Sequence, residues 1–143
     1  AWLGARIRDH VGVHAPAGVD IAISDEGAAP LETAGGIKKA LPLLGDAPFV
    51  VINGDIWSDF DLARLPMAPE GLGHLVLVDN PDHHPRGDFA LHRDRLTVEG
   101  PGKRLTFAGI GVYRPELFVG QSSGPAPLGP LLHRACARRQ LTG

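Results

Sequence analysis

Asn53-Gly54-Asp55 stops the apolar run Phe49-Val50-Val51-Ile52 on an amide, a glycine and a carboxylate. A buried strand that ends this abruptly offers polar side chains at its carboxyl end, where open α/β sheets collect ligands. Carboxylate oxygens are the hard ligands that Mg²⁺ prefers, and Mg²⁺ usually takes one or two of them and fills its shell with water and phosphate. Asp55 is therefore a candidate ligand for a metal-bound triphosphate. A plain alternative is that Asp55 only caps the turn that follows, as aspartates at strand ends commonly do.

A second segment, Leu31-Glu32-Thr33-Ala34-Gly35-Gly36, precedes the helical pattern Ile37 to Leu44. Adjacent glycines let a backbone approach a ligand closely and leave N–H groups pointing outward at a helix start. The helix terminus alone contributes only about 0.3–1 kcal/mol towards an exposed anion, so metal and cationic side chains must manage most of a triphosphate. A double glycine outside the full phosphate-loop patterns equally suits a turn that starts a helix. The third cluster is Asp82-His83-His84-Pro85-Arg86-Gly87-Asp88-Phe89. Neighbouring histidines in an extended segment do not face one ion, so a solvated loop is a better reading than zinc. Asp88, at the start of a strand, could accept hydrogen bonds from sugar hydroxyls or bond its own turn. Ser24, Ser58, Ser122 and Ser123 stand in no hydrolase motif.

These residues need a scaffold, and the composition bounds it. The chain of 143 residues has a formal charge of −2, so it carries no field suited to a nucleic-acid partner. Cys136 is the only cysteine, which excludes an internal disulfide and favours a reducing, cytoplasmic setting. No apolar stretch reaches the 18 residues expected of a membrane span, and no membrane partner is expected. Apolar spacing predicts a helix from Trp2 to His10 closing near Gly12, a strand from Val19 to Ser24, and a loop and helix from Asp25 to Leu44. It then predicts buried strands at Phe49 to Ile52 and Gly73 to Val78, a hairpin of Phe89 to His92 with Leu96 to Val98, and a strand from Leu105 to Tyr113 broken by Gly109 and Gly111. A last helix carries Leu128, Leu131, Leu132, Ala135 and Cys136 and runs to about Gln140. That order predicts an α/β fold: a mostly parallel sheet with helices on both faces.

The combination of Leu31 to Gly36, the helix Ile37 to Leu44 and Phe49 to Trp57 resembles the sugar-1-phosphate nucleotidyltransferases. Leu41 to Phe49, Leu75 to Pro81, Arg86 to Phe89 and Leu105 to Ile110 extend the likeness, which covers Trp2 to Leu132. It implies a Rossmann-like nucleotide-diphospho-sugar transferase fold, with residues 1–143 as the central portion of a single domain. It also implies uridylyl transfer from UTP to a sugar 1-phosphate, N-acetylmuramate α-1-phosphate foremost, in peptidoglycan recycling for the cell wall. Asp55 would be the catalytic metal ligand with Mg²⁺ as cofactor. Asn53 and Asp88 would bind the sugar, and Glu32, Thr33, Gly35 and Gly36 would line the pocket for nucleotide and sugar. The family's glycine-rich Arg/Lys loop and its second metal-binding aspartate do not occur in these 143 residues, so this polypeptide alone is expected to be inactive. Two other functions fit the same residues: a non-catalytic nucleotidyltransferase-like binding module, or the same chemistry on another sugar phosphate or nucleotide.

Overall fold

A computed structural model describes residues 3–121 and 123–143. Trp2, where the first helix was expected to begin, and Ser122 lie outside the described residues. The chain divides into two compact units, Ala1–Gly45 with Gly120–Leu128, and Asp46–Val119 with Gly129–Gly143.

The first unit carries helices α1 (Gly4–His14) and α2 (Glu32–Leu44). No residue of α1 is buried. A bond of 2.8 Å joins Arg8 to Asp25, whose other carboxylate oxygen accepts the Gly27 N–H. That N–H, followed by the Arg8 charge, holds the Asp25 carboxyl below the ordinary range. The strand expected over residues 19–24 does not form. Its alternating Val19, Ile21 and Ile23 are exposed, because apolar alternation makes a strand only when another strand accepts its backbone. A further correction concerns α2, which begins at Glu32 and so absorbs the expected loop of residues 31–36 into its first turns. The α2 backbone donates from Ala34 and Gly35 to the Ala126 carbonyl, so those helix-start donors are satisfied within the unit.

The second unit overturns the expectation of a mostly parallel, helix-flanked sheet. Its strands are β1 (Phe49–Ile52), β2 (Gly73–Val78), β3 (Phe89–His92), β4 (Arg95–Thr97), β5 (Lys103–Tyr113) and β6 (Leu141–Thr142). They pair in the order β5-β2-β6-β4-β3, and β3 returns to β5, which closes a five-stranded barrel with β1 added outside the ring. Of the described ladders only β2 with β6 is parallel. The physical reason is that an apolar run reports burial, not the direction of its neighbours. Both β1 and β2 lie antiparallel against the one long strand β5. Nor is β1 buried on both faces: Phe49 is covered, Val50 and Val51 are half-covered, and Ile52 is 48% exposed.

Inside this unit Leu65, Val76, Ile110 and Val112 form one buried cluster, with Val50, Ile56, Phe60 and Ala108 against it. Tyr113 and Phe118 meet edge to face, and Phe49 lies beside both. Burying each such side chain contributes roughly 1.5–3 kcal/mol. Gly109 does not break β5. Instead, two steps along β2, from Leu75 to Leu77, match four along β5, from Gly111 to Phe107, which makes a bulge there. Gly109 occupies the bulge at φ 78°, a left-handed conformation that glycine adopts without a Cβ clash. Helix α3 (Leu128–Ala137) ends earlier than Gln140, and buries Leu131, Leu132, Ala135 and Cys136. Cys136 therefore lies in the core, and burial pushes its thiol pKa up. Sequence periodicity missed β6, which is two residues long.

Candidate functional site

Closure of the barrel decides where the second unit places its polar residues. In the ring β5 uses one edge for β2 and the other for β3, and β1 must share the β3 edge because β2 and β1 both pair with residues 111–113. β1 ends at the Ile52–Ile110 pair and β3 begins at the Phe89–Leu105 pair. The two strands therefore lie end to end on one edge of β5, with residues 106–109 between them.

Asn53 enters this gap from the β1 side and Asp88 from the β3 side, although 35 positions separate them in sequence. The Asn53 N–H donates to the Gly109 carbonyl at 2.9 Å. A Cβ on Gly109 would lie 2.9 Å from Asn53 Nδ2, so the bulge glycine makes room for the Asn53 side chain. Among the described residues the Asn53 carboxamide has no hydrogen-bond partner, and it is free to meet a ligand. Asp88 is held more firmly. Its Oδ2 accepts the Phe107 N–H at 2.8 Å and its Oδ1 lies 3.1 Å from His84 Nε2. Each oxygen keeps a lone pair beyond those bonds, so a sugar hydroxyl can still be received.

Asp55 follows Asn53 by two residues in the exposed turn after β1. Its carboxylate has no partner among the described residues. Among the described residues no group of three or more His, Cys, Asp or Glu that could hold a metal gathers there either. A lone unpaired carboxylate nonetheless fits Mg²⁺, which takes few protein ligands and relies on water and phosphate oxygens for the rest. Asn53 and Asp88 thus flank the gap, and Asp55 stands in the exposed turn that follows β1.

A groove of about 570 Å³ opens on the same unit, lined by His84, Arg86, Asp88, Glu99, Arg104 and His133 among others. Sequence reasoning missed Arg104 and His133. The Arg104 guanidinium donates to the carbonyls of Arg86, Val98 and Gly87 at 2.6–3.1 Å, and His133 sets its ring edge to face against Phe89. No local motif announces either role, since each depends on a long-range crossing.

The remaining predicted residues belong to the first unit. Glu32 and Thr33 are exposed at the start of α2, with Glu32 at φ 57°. Gly35 is buried, and a Cβ there would fall 2.4 Å from the Gly124 carbonyl oxygen. At Gly36 a Cβ would fall 2.5 Å from Glu26 Oε1, and the other oxygen of Glu26 accepts the Leu31 N–H at 2.9 Å. Gly35 is thus required by a backbone crossing inside its own unit, whereas beside Gly36 only the end of the Glu26 side chain would have to shift. Lys38 and Lys39 line a cavity of about 240 Å³ with Leu31, Gly35, Ser123 and Gly124.

No protein-family model matches the chain. Comparison with curated proteins is more informative. The chain is 46% identical over its whole length to an N-acetylmuramate alpha-1-phosphate uridylyltransferase of Neisseria meningitidis, of which it spans 65%. It is 33% identical, over 86% of its residues, to a protein of the same name from Caulobacter vibrioides, of which it spans 56%. It therefore covers less than two thirds of either relative's length.

Proposed function

We propose that this chain, which belongs to the sugar-1-phosphate nucleotidyltransferase family, supplies the sugar-binding side of a uridylyl transfer performed by the whole protein. The donor is UTP and the acceptor is N-acetylmuramate α-1-phosphate. A phosphate oxygen of the acceptor attacks the α-phosphorus of UTP, the bond to the β-phosphate breaks, and pyrophosphate leaves as the UDP-sugar forms. Such a transfer needs alignment and charge stabilisation more than covalent help from the protein.

The observation that carries this reading is the gap on β5, where barrel closure brings Asn53 and Asp88 to one place with Asp55 two residues away. Asn53 offers a free carboxamide to sugar hydroxyls, and Asp88 offers the open lone pairs of a carboxylate fixed on the Phe107 N–H. Asp55 would hold Mg²⁺, which on binding supplies neutralising charge to phosphate oxygens. Glu32 and Thr33 would contact nucleotide or sugar through their exposed side chains. Gly35 and Gly36 would act by shaping the α2 start. The product's chemistry, a UDP-linked cell-wall sugar, suits peptidoglycan recycling in the cytoplasm, and no described helix is long and apolar enough to cross a membrane.

The whole protein, given UTP, Mg²⁺ and N-acetylmuramate α-1-phosphate, is expected to release pyrophosphate and to lose that activity with a chelator. Silence across a panel of sugar 1-phosphates and nucleoside triphosphates would overturn the proposal. Turnover of a different sugar or base would keep the chemistry and change the substrate.

A further inference from the structure

We infer that the groove beside Asp88 is a subsite for the carboxylate of an acidic amino-sugar 1-phosphate, read by Arg86. This rests on the proposed function, and deepens it by assigning a residue to the part of the sugar that the transfer chemistry does not need. N-acetylmuramate differs from N-acetylglucosamine by an ether-linked lactic acid, so a site that prefers it has one more negative group to recognise.

Arg86 is suited to that by the way its turn is built. Its carbonyl accepts Arg104 Nε at 2.6 Å, the Gly87 carbonyl accepts Arg104 at 3.1 Å, and Asn80 Nδ2 donates to the Pro85 carbonyl at 3.1 Å. On the other side the Asp88 N–H donates to the Leu105 carbonyl at 2.8 Å. Gly87 is buried at φ 58°, and a Cβ there would meet Asn80 and the Leu105 carbonyl within 2.8 Å. The turn is therefore fixed on two sides of β5, yet the Arg86 guanidinium at its tip has no partner among the described residues.

Two of the other charged or titratable groups of the groove are already committed. Arg104 is spent on backbone carbonyls and His84 on Asp88, whereas among the described residues Arg86, Glu99 and the ring nitrogens of His133, whose ring packs on Phe89, keep free polar groups, and of these Arg86 alone carries a fixed positive charge. A guanidinium takes a carboxylate through two parallel hydrogen bonds, a geometry that an ammonium cannot reproduce. Glu99 can accept the N–H of the acetamido group. The position is also right. Asp88 grips β5 at Phe107 and Asn53 grips it at Gly109, two residues along the strand. A sugar bound at Asp88 can thus point its 1-phosphate towards the β1 end and its acid into the groove.

The test compares N-acetylmuramate α-1-phosphate with N-acetylglucosamine α-1-phosphate on the whole protein. Both carry the phosphate, and only the first carries the lactyl acid. Arg86→Gln is expected to lower the ratio of the two kcat/KM values about 10- to 100-fold, chiefly through KM, with Arg86→Lys falling between it and the unaltered protein. An equal loss on both sugars would mean that Arg86 meets the phosphate, and would overturn the inference, as would an unaltered ratio. Failure of the unaltered protein on both sugars would instead sink the functional proposal, and this inference with it. Matched heat-unfolding transitions separate a binding effect from a folding one.

Discussion

The β5 gap and the start of α2 are both glycine-assisted, yet their glycines do opposite jobs. At the gap Gly109 yields space to Asn53, a half-buried side chain whose carboxamide has no hydrogen-bond partner among the described residues and stays open to solvent. At α2 the room left by Gly35 is filled by the backbone of residues 124–126, and that left by Gly36 by the Glu26 carboxylate. The helix-start N–H groups of Ala34 and Gly35 are likewise consumed by Ala126. A glycine pair before a helix can therefore signal close internal crossing as easily as a ligand. Unspent polar atoms, not glycines, distinguish a site from a fold.

The largest effect should come from the least constrained side chain of the gap. In the whole protein Asp55→Asn is expected to keep its unfolding transition, because the residue is exposed, and to lose Mg²⁺-dependent pyrophosphate release by on the order of a hundredfold or more. Unchanged turnover would move the metal elsewhere and leave the gap as a sugar site only.

The glycines themselves sharpen the contrast at the next level. Gly109→Ala places a Cβ at φ 78° against Asn53, and left-handed strain alone costs about 1–2 kcal/mol. Its signature should be double: a lower melting temperature and a raised KM for the sugar phosphate. Gly35→Ala should lose stability by overpacking against Gly124, on the order of 1–3 kcal/mol, against roughly 1 kcal/mol that alanine normally gains over glycine in a helix. If Gly35→Ala melts higher, the crossing at residues 124–126 is looser than its 2.4 Å approach indicates, and the contrast between the regions weakens.

The sequence disclosed these regions unequally, for physical reasons. Apolar runs located β1, β2, the β3–β4 hairpin and β5 almost to the residue, because burial is local and periodic. They misjudged the architecture, since strand direction depends on which neighbour accepts the backbone. β5 satisfies β1 and β2 alike from antiparallel positions. Val19, Ile21 and Ile23 show the same limit, with the alternation of a strand and no strand paired to them among the described residues. Asn53 and Asp88 could be singled out by residue type at strand ends. Their meeting across Phe107 to Gly109 was invisible, because it follows from barrel closure. Arg104 shows that a charged residue can serve wholly as backbone scaffolding, something no spacing rule reports.

Acidification should separate the two units by a smaller effect. His74, on β2 of the barrel, shares a 2.9 Å hydrogen bond with Thr142 on β6, and burial holds its pKa below 6.5 despite the opposing charge of Asp94. The unfolded chain thus takes up a proton at that histidine that the folded barrel resists. Stability from this residue is fully present above 6.5 and declines as pH falls from there towards its folded pKa. Asp25 in the other unit is also shifted down, below 3.8, by the Gly27 N–H and the Arg8 charge, so its contribution persists above that value and fades only as pH drops from there through its folded pKa. Between these windows the β2–β6 closure should loosen while the Asp25 turn stays intact. Amide hydrogen exchange is expected to quicken at His74 and Thr142 before it does at Gly27, and His74→Gln, which keeps a partner for Thr142, should flatten the first change. Simultaneous loss in both places would show that the barrel closure owes nothing to a neutral His74.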